Sequence, residues 1–381
     1  MSARSISIDA LRGLAVLLVA QLHFLHITGA WAALGAPPIL LKLTGGGEAG
    51  VDIFFVLSAY LLGDGLLARG RDPRIVTTFY LRRAWRVLPM YWIVVFAGFA
   101  LFALWMATTG IAGTWLWAAP YPPLVYLLFL QNWAAGVTGA VASWFGPTWS
   151  LAVEEHFYLL LPLLTTRLER RTLAYVAIAW IVAAPLLRIV SEHAATPAAA
   201  YYWSICRIDS FGWGLLIALT LRAAPGLAAR IRPGFAASAG VALLIATLVL
   251  SSKAHALERA LTTSALALAA ALLTLAAISM RPSISFAATP NALVRALAWC
   301  GKRCYSLYLL QMPVLGLTFL AAGYTGPSAE APYGFAIIAI AAVMTFVLAD
   351  VCWRRIEEPC MRRAPRLAPA SVKPMAATQA G

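Results

Sequence analysis

Apolar residues fall in long blocks, at 8–28, 48–68, 87–109, 149–165, 172–188, 202–221, 234–251, 260–280, 304–322 and 333–353. An α-helix rises about 1.5 Å per residue, so roughly 20 apolar residues cross the ~30 Å hydrocarbon core of a bilayer. The blocks therefore predict ten membrane-spanning helices. An eleventh stretch, Tyr121 to Trp133, opens with Pro120, Pro122 and Pro123. At about a dozen residues it is too short to span and reads as a re-entrant or interfacial segment. The predicted fold is an all-α, polytopic transmembrane helical bundle of about ten spans. It forms a single domain over 1–360, followed by a disordered cytoplasmic tail, 361–381, rich in Pro and Ala.

Composition sharpens the same picture. Of 381 residues, 62% are apolar and 12% charged, against about a quarter charged in ordinary soluble domains. A soluble enzyme is excluded on that count. Five scattered cysteines (Cys206, Cys300, Cys304, Cys352, Cys360) give neither a disulfide framework nor zinc-type spacing, and no metal site is expected. The net charge of +14 would suggest nucleic acid for a soluble chain. Here its placement argues for a membrane partner and no nucleic acid. With the N-terminus in the cytoplasm, the cytoplasmic segments hold Arg4, six arginines over 69–86, three over 167–171, three over 222–232, four basic residues over 281–303 and six over 354–373. The other face holds Lys42, Arg188, Lys253 and Arg259. This is the positive-inside pattern, and it places both termini in the cytoplasm.

Ionisable residues inside spans are costly and mark candidate function. Arg12 and His23 are eleven residues apart, three turns and about 20° of rotation, so they share a face some 16 Å apart. His23 falls near the bilayer midplane, and Asp9, one turn before Arg12, can pair with it. His26 lies on another face and reads as structural. Gly45-Gly46-Gly47 precedes the second span, where its free N–H groups suit either close helix packing or an oxyanion. Arg82, Arg83 and Arg86 share one helical face at the start of the third span. Such a cluster suits phosphate groups and anionic lipid headgroups equally. Glu154, Glu155 and His156 follow Trp149 and Ser150 in the fourth span. Arg207, beside Asp209, is the expected partner for one of the two carboxylates.

Five segments in this order resemble acyltransferase family 3, the integral membrane O-acyltransferases. They are Asp9-Ala10-Leu11-Arg12-Gly13 with ten residues between Arg12 and His23, Gly50-Val51-Asp52-Ile53-Phe54-Phe55-Val56-Leu57-Ser58, Arg82-Arg83-Ala84-Trp85-Arg86-Val87-Leu88-Pro89, Trp149-Ser150-Leu151-Ala152-Val153-Glu154-Glu155, and Arg207 with Asp209. The resemblance runs from residue 9 to about 360. It implies transfer of an acyl group, often acetyl from acetyl-CoA, to sugar hydroxyls, with His23, Arg12, Arg83 and Arg86 as functional residues. The chain departs from the family pattern at Ala59-Tyr60, at His156, at Gln311 where a histidine is frequent, and at Glu358 where an arginine often precedes Pro359.

The resulting expectation is an enzyme of the bacterial inner membrane with no tightly bound cofactor and acyl-CoA as donor substrate. Arg12, Arg82, Arg83 and Arg86 bind the donor. His23 activates the hydroxyl of a glycan acceptor, which Trp149, Ser150, Arg207 and Asp209 contact. Glu154 and Glu155 orient His23, bind sugar hydroxyls or pair with Arg207. Direct transfer and a covalent acyl-enzyme are both open. The rival is a proton-coupled transporter using the same intramembrane charges.

Overall fold

The computed structural model describes residues 6–365, apart from 71, 73, 112, 113, 119, 253 and 281–290. Arg4, Arg71, Lys253, Arg281, Arg366 and Lys373 of the charge map, and the tail beyond 365, lie outside the described residues. Eleven helices carry the architecture: α1 Ile6–Gln21, α2 Ala49–Leu67, α3 Arg74–Thr109, α4 Thr148–Arg167, α5 Arg170–Ala194, α6 Ile208–Ala223, α7 Pro233–Leu250, α8 Ala256–Ser279, α9 Ala292–Lys302, α10 Cys304–Ala321 and α11 Gly334–Cys352. All the apolar blocks become helices, as backbone surrounded by lipid must satisfy its own hydrogen bonds.

Eight stretches of described helix are long and apolar enough to cross a membrane. The two remaining predicted spans, α4 and α6, are polar or short for a reason. α4 carries Glu154, Glu155 and His156, and α6 has only 16 residues. Both are packed into the interior. Phe157 of α4 stacks on Phe211 of α6 at 4.2 Å, and Phe55 of α2 lies 4.9 Å from Phe211. Large apolar residues of α5, α7 and α11, among them Val182, Leu186, Phe235, Leu250, Val343 and Val347, stay exposed on the outside. Such a band matches the hydrocarbon layer that helices of this length and apolarity cross.

Three features depart from the expected pattern. First, α3 begins at Arg74 and runs 36 residues, about 54 Å at 1.5 Å per residue. It is therefore longer than a bilayer core, and its arginine-bearing first turns stand at the membrane boundary. Second, residues assigned to a loop form α9, capped by the Asn291 side chain accepting from Val294 N at 2.8 Å. Eleven residues are too few to span, and α9 lies along α1 instead. Third, the chain stays helical over Glu358–Arg363, so the tail's first residues are ordered against the bundle. The Tyr121 region forms two short helices, Pro123–Leu127 and Gln131–Thr138, neither long enough to span.

The α1–α9 contact depends on glycine. A Cβ on Gly301 would fall inside the carbonyl oxygen of Asp9, and one on Gly13 inside that of Leu297. Backbone cannot yield as a flexible side chain can. Gly301→Ala is therefore expected to cost about 1–3 kcal/mol, the usual range for overpacking. It should lower the melting temperature of detergent-purified protein, whereas an unchanged melt would contradict this account of the crossing.

Candidate active site

The end of α1 does not continue as regular helix. Residues Leu22–His26 form a π-helical turn, which carries His23 and His26 toward different neighbours. His26 Nδ1 meets Thr44 Oγ1 at 3.1 Å, a structural contact as its position suggested. His23 Nδ1 lies 2.7 Å from Gln311 Oε1 on α10. With the amide oxygen turned to the ring it can only accept, so Nδ1 carries the proton and Nε2 keeps its lone pair. That is the tautomer a general base needs.

From Gln311 a ladder of polar groups descends through the bundle, alternating one-turn steps along a helix with bonds between helices. Tyr308 is one turn before Gln311 on α10 and shares its face. Its hydroxyl is 2.7 Å from Ser150 Oγ on α4. One turn further along α4, Glu154 accepts from Ser58 Oγ of α2 at 3.0 Å and from Tyr158 OH at 2.8 Å. The Tyr158 ring lies 5.5 Å from the Arg83 guanidinium of α3, which also covers Phe79 at 6.0 Å. Glu155 sits next to this ladder with its Oε1 buried and without a hydrogen-bond partner among the described residues.

Arg82 and Arg86 part from Arg83 despite their common helix. Arg82 Nη1 donates to Pro365 O at 3.0 Å, and Arg86 Nη1 reaches Met361 Sδ at 3.2 Å. The C-terminal segment thus rests on two of the three arginines. Arg12 pairs with Asp9, at 3.9 Å, as its spacing predicted.

The carboxylate and arginine pairing inferred from sequence is corrected by the structure. Neither Glu154 nor Glu155 is bonded to His23 or paired with Arg207. Arg207 lies 3.6 Å from Asp52 of α2 and stacks over Tyr201 at 4.6 Å and Trp149 at 5.5 Å. Asp209 is spent on Arg188, both its oxygens accepting from Nη2 at 2.6 Å, with Ser264 Oγ donating to it at 3.1 Å. Arg188 also donates to Cys206 O, Ala260 O and Ser264 Oγ. With Ser210 N also donating to Oδ1 at 3.0 Å, both oxygens of Asp209 are engaged inside the bundle. A charge partner for Asp209 was hidden in the sequence because Arg188 counted as a residue of the outer face. His156, which bonds Ser204 Oγ at 2.6 Å, ties α4 to the lead-in of α6.

The glycines before α2 pack rather than line a site. A Cβ on Gly47 would strike the Leu18 carbonyl and the Gln21 side chain. Gln311, Tyr308, Tyr158, Ser58 and Asp52 are the site residues that sequence reasoning did not assign. The signal of the four neutral residues was weak, since each is an uncharged polar group at a helical spacing that core residues also show, whereas the Asp52 carboxylate inside a span was a signal left unused.

A family model for an acyltransferase domain matches residues 5–354. The chain is 28% identical over 365 residues to the acyltransferase MdmB of Streptomyces mycarofaciens, covering 89% of this chain and 87% of that protein. It is 27% identical over 369 residues to the peptidoglycan O-acetyltransferase OatA of Listeria monocytogenes, covering 93% of this chain and 55% of the other. The putative membrane-bound transacylase BcsY of Komagataeibacter xylinus is 36% identical over 194 residues, 45% of this chain and 44% of that one. The chain thus spans about half the length of the peptidoglycan relative. No solved structure matches. The family model covers nearly all of the described helical bundle: the chain belongs to acyltransferase family 3 and is an acyltransferase.

Proposed function

We propose that the protein moves an acyl group, acetyl in the first instance, from acyl-CoA at the Arg83 and Arg86 end of the ladder to a sugar hydroxyl at His23. The observation that carries this reading is the row of polar groups from Arg83 through Tyr158, Glu154, Ser150 and Tyr308 to Gln311 and His23, hydrogen-bonded at Tyr158–Glu154, Tyr308–Ser150 and Gln311–His23 and otherwise joined by one-turn helical steps and the Arg83–Tyr158 ring contact. Guanidinium groups bind phosphate as paired donors. The neutral Met361 and Pro365 groups on Arg86 and Arg82 are weak partners that a CoA phosphate would displace. Arg12, held by Asp9, supports the same end of the bundle.

In the reaction, His23 Nε2 takes the proton of the acceptor hydroxyl as its oxygen attacks the acyl carbonyl. The carbon–sulfur bond then breaks, and the proton passes from His23 to the departing thiolate, leaving ester and CoA. Trp149, stacked under Arg207, and Ser150, bonded to Tyr308, are assigned to the acceptor on this reading. Relatives named peptidoglycan O-acetyltransferases support a glycan as that acceptor. The excess of arginine at the Arg83 end supports a bacterial inner-membrane enzyme with both termini in the cytoplasm.

Purified protein should bind acetyl-CoA saturably, and the Arg83→Ala/Arg86→Ala variant should bind it about 10-fold or more weakly. Each lost charge-assisted bond is worth roughly 1.5–3 kcal/mol, and about 1.4 kcal/mol is tenfold in affinity. Equal binding by variant and wild type would sink the donor assignment.

A further inference from the structure

At the membrane end opposite the Arg82 cluster, a cavity of about 110 Å³ lies between α2, α5, α6 and α8. Three carboxylates, Glu48, Asp52 and Glu192, and three guanidinium groups, Arg188, Arg207 and Arg259, line it. Its formal charge is balanced. Arg188 is saturated by Asp209, Ser264 and two carbonyls, but Arg207 is not. Arg207 donates one hydrogen bond, from Nε to Tyr201 O at 3.0 Å, and Tyr201 and Trp149 cover its guanidinium. Its Nη1 stands 3.6 Å from Asp52 Oδ1, outside hydrogen-bond range, though both side chains are almost fully buried at 2% and 1% exposure. Asp52 itself accepts from Ser210 Oγ at 2.8 Å.

A buried ion pair too long for a direct hydrogen bond leaves a donor and an acceptor side by side for one neighbouring group. At 3.6 Å no atom fits between them, but a hydroxyl beside the pair can accept from the arginine and donate to the aspartate at once. A charged group would meet one partner and be repelled by the other, in surroundings where charge is weakly screened. We infer that this cavity binds an uncharged, hydroxyl-bearing edge of the acceptor, with Arg207 and Asp52 gripping one hydroxyl and the Tyr201 ring beside it. The volume is below the ~150 Å³ void that encloses a benzene, so the cavity takes one edge of a sugar ring and leaves the rest outside. The Glu192–Arg259 ion pair stands at its rim, more exposed than the inner pair. This assignment rests on the glycan reading above and extends it to where the sugar sits and which sugars are refused.

The test is saturation-transfer NMR on the full-length protein in detergent, with an equimolar mixture of methyl glucoside, glucuronate and protonated glucosamine. Methyl glucoside should receive several-fold more saturation than either charged sugar. Asp52→Asn removes one negative charge at constant shape and should move the preference to glucuronate. If that variant fails to fold, Glu192→Gln makes the same charge change at the rim. Equal saturation of the three sugars by the wild type, or an unchanged ranking in a folded variant, overturns the inference. Acetyl-CoA binding measured on the same samples keeps the outcomes apart. Retained donor binding with no sugar preference refutes the cavity alone, whereas loss of both refutes the acyltransfer geometry.

Discussion

His23→Ala is expected to reduce acyl transfer by about 10²- to 10⁴-fold, the usual contribution of a positioned general base, while acetyl-CoA binding stays at its wild-type level. The separation follows from geometry. His23 is in the π turn after α1 and contacts α10 through Gln311, whereas Arg83 is on α3 at the far end of the ladder. Removing the imidazole takes away the proton acceptor without touching the groups proposed for the donor. Gln311→Ala should lower kcat by a smaller factor and leave KM near wild type, because the base remains but its tautomer and orientation are no longer fixed. Both are read by CoA release in the presence of a sugar acceptor. Full activity in His23→Ala would end the mechanism, and a Gln311→Ala effect as large as that of His23→Ala would show the amide to be more than a positioning residue.

The second large effect is on folding. Asp209→Ala would leave Arg188 charged, 2% exposed and stripped of its bidentate partner. Breaking a buried ion pair from one side costs about 3–5 kcal/mol, a large share of the marginal stability of most proteins. The expected result is a steep drop in the amount of folded protein and in its melting temperature. Replacing both partners with apolar residues, Arg188→Met with Asp209→Leu, should recover most of the loss, since no charge is then buried alone. An Asp209→Ala variant that melts like the wild type would show that Arg188 finds another anion in this region.

The bundle was legible in the sequence because hydropathy is a local signal. All ten apolar blocks correspond to helices, and the short Tyr121 segment stays short. The motif residues Arg12, His23, Arg83 and Glu154 also stood out, being charged or titratable against an apolar background. Partner choice was not legible. Arg207 and Asp209 are two residues apart, yet they face Asp52 and Arg188 on different helices. Arg207 caps α6 from outside while Asp209 lies in its first turn, so the two point apart, and one sequence does not say which helices stand on either side. α9 escaped for a different reason. Its 11 residues are too short for a span, and the glycine that lets it lie against α1 looks like any loop glycine in one dimension.

The π turn at Leu22–His26 makes chain length, and not only residue identity, a determinant of the site. Such a turn is equivalent to an α-helix that has accepted one extra residue. Deleting a residue within it would restore regular helix and leave the residues beyond near their present register, whereas the same deletion earlier in α1 would swing everything after it round by about 100°. A chain shortened in that second way could keep every side chain named here and still aim its base away from the amide on α10. Relatives are therefore best aligned at this point by allowing a one-residue gap, with the histidine placed by its register against Gln311 rather than by its count from Arg12.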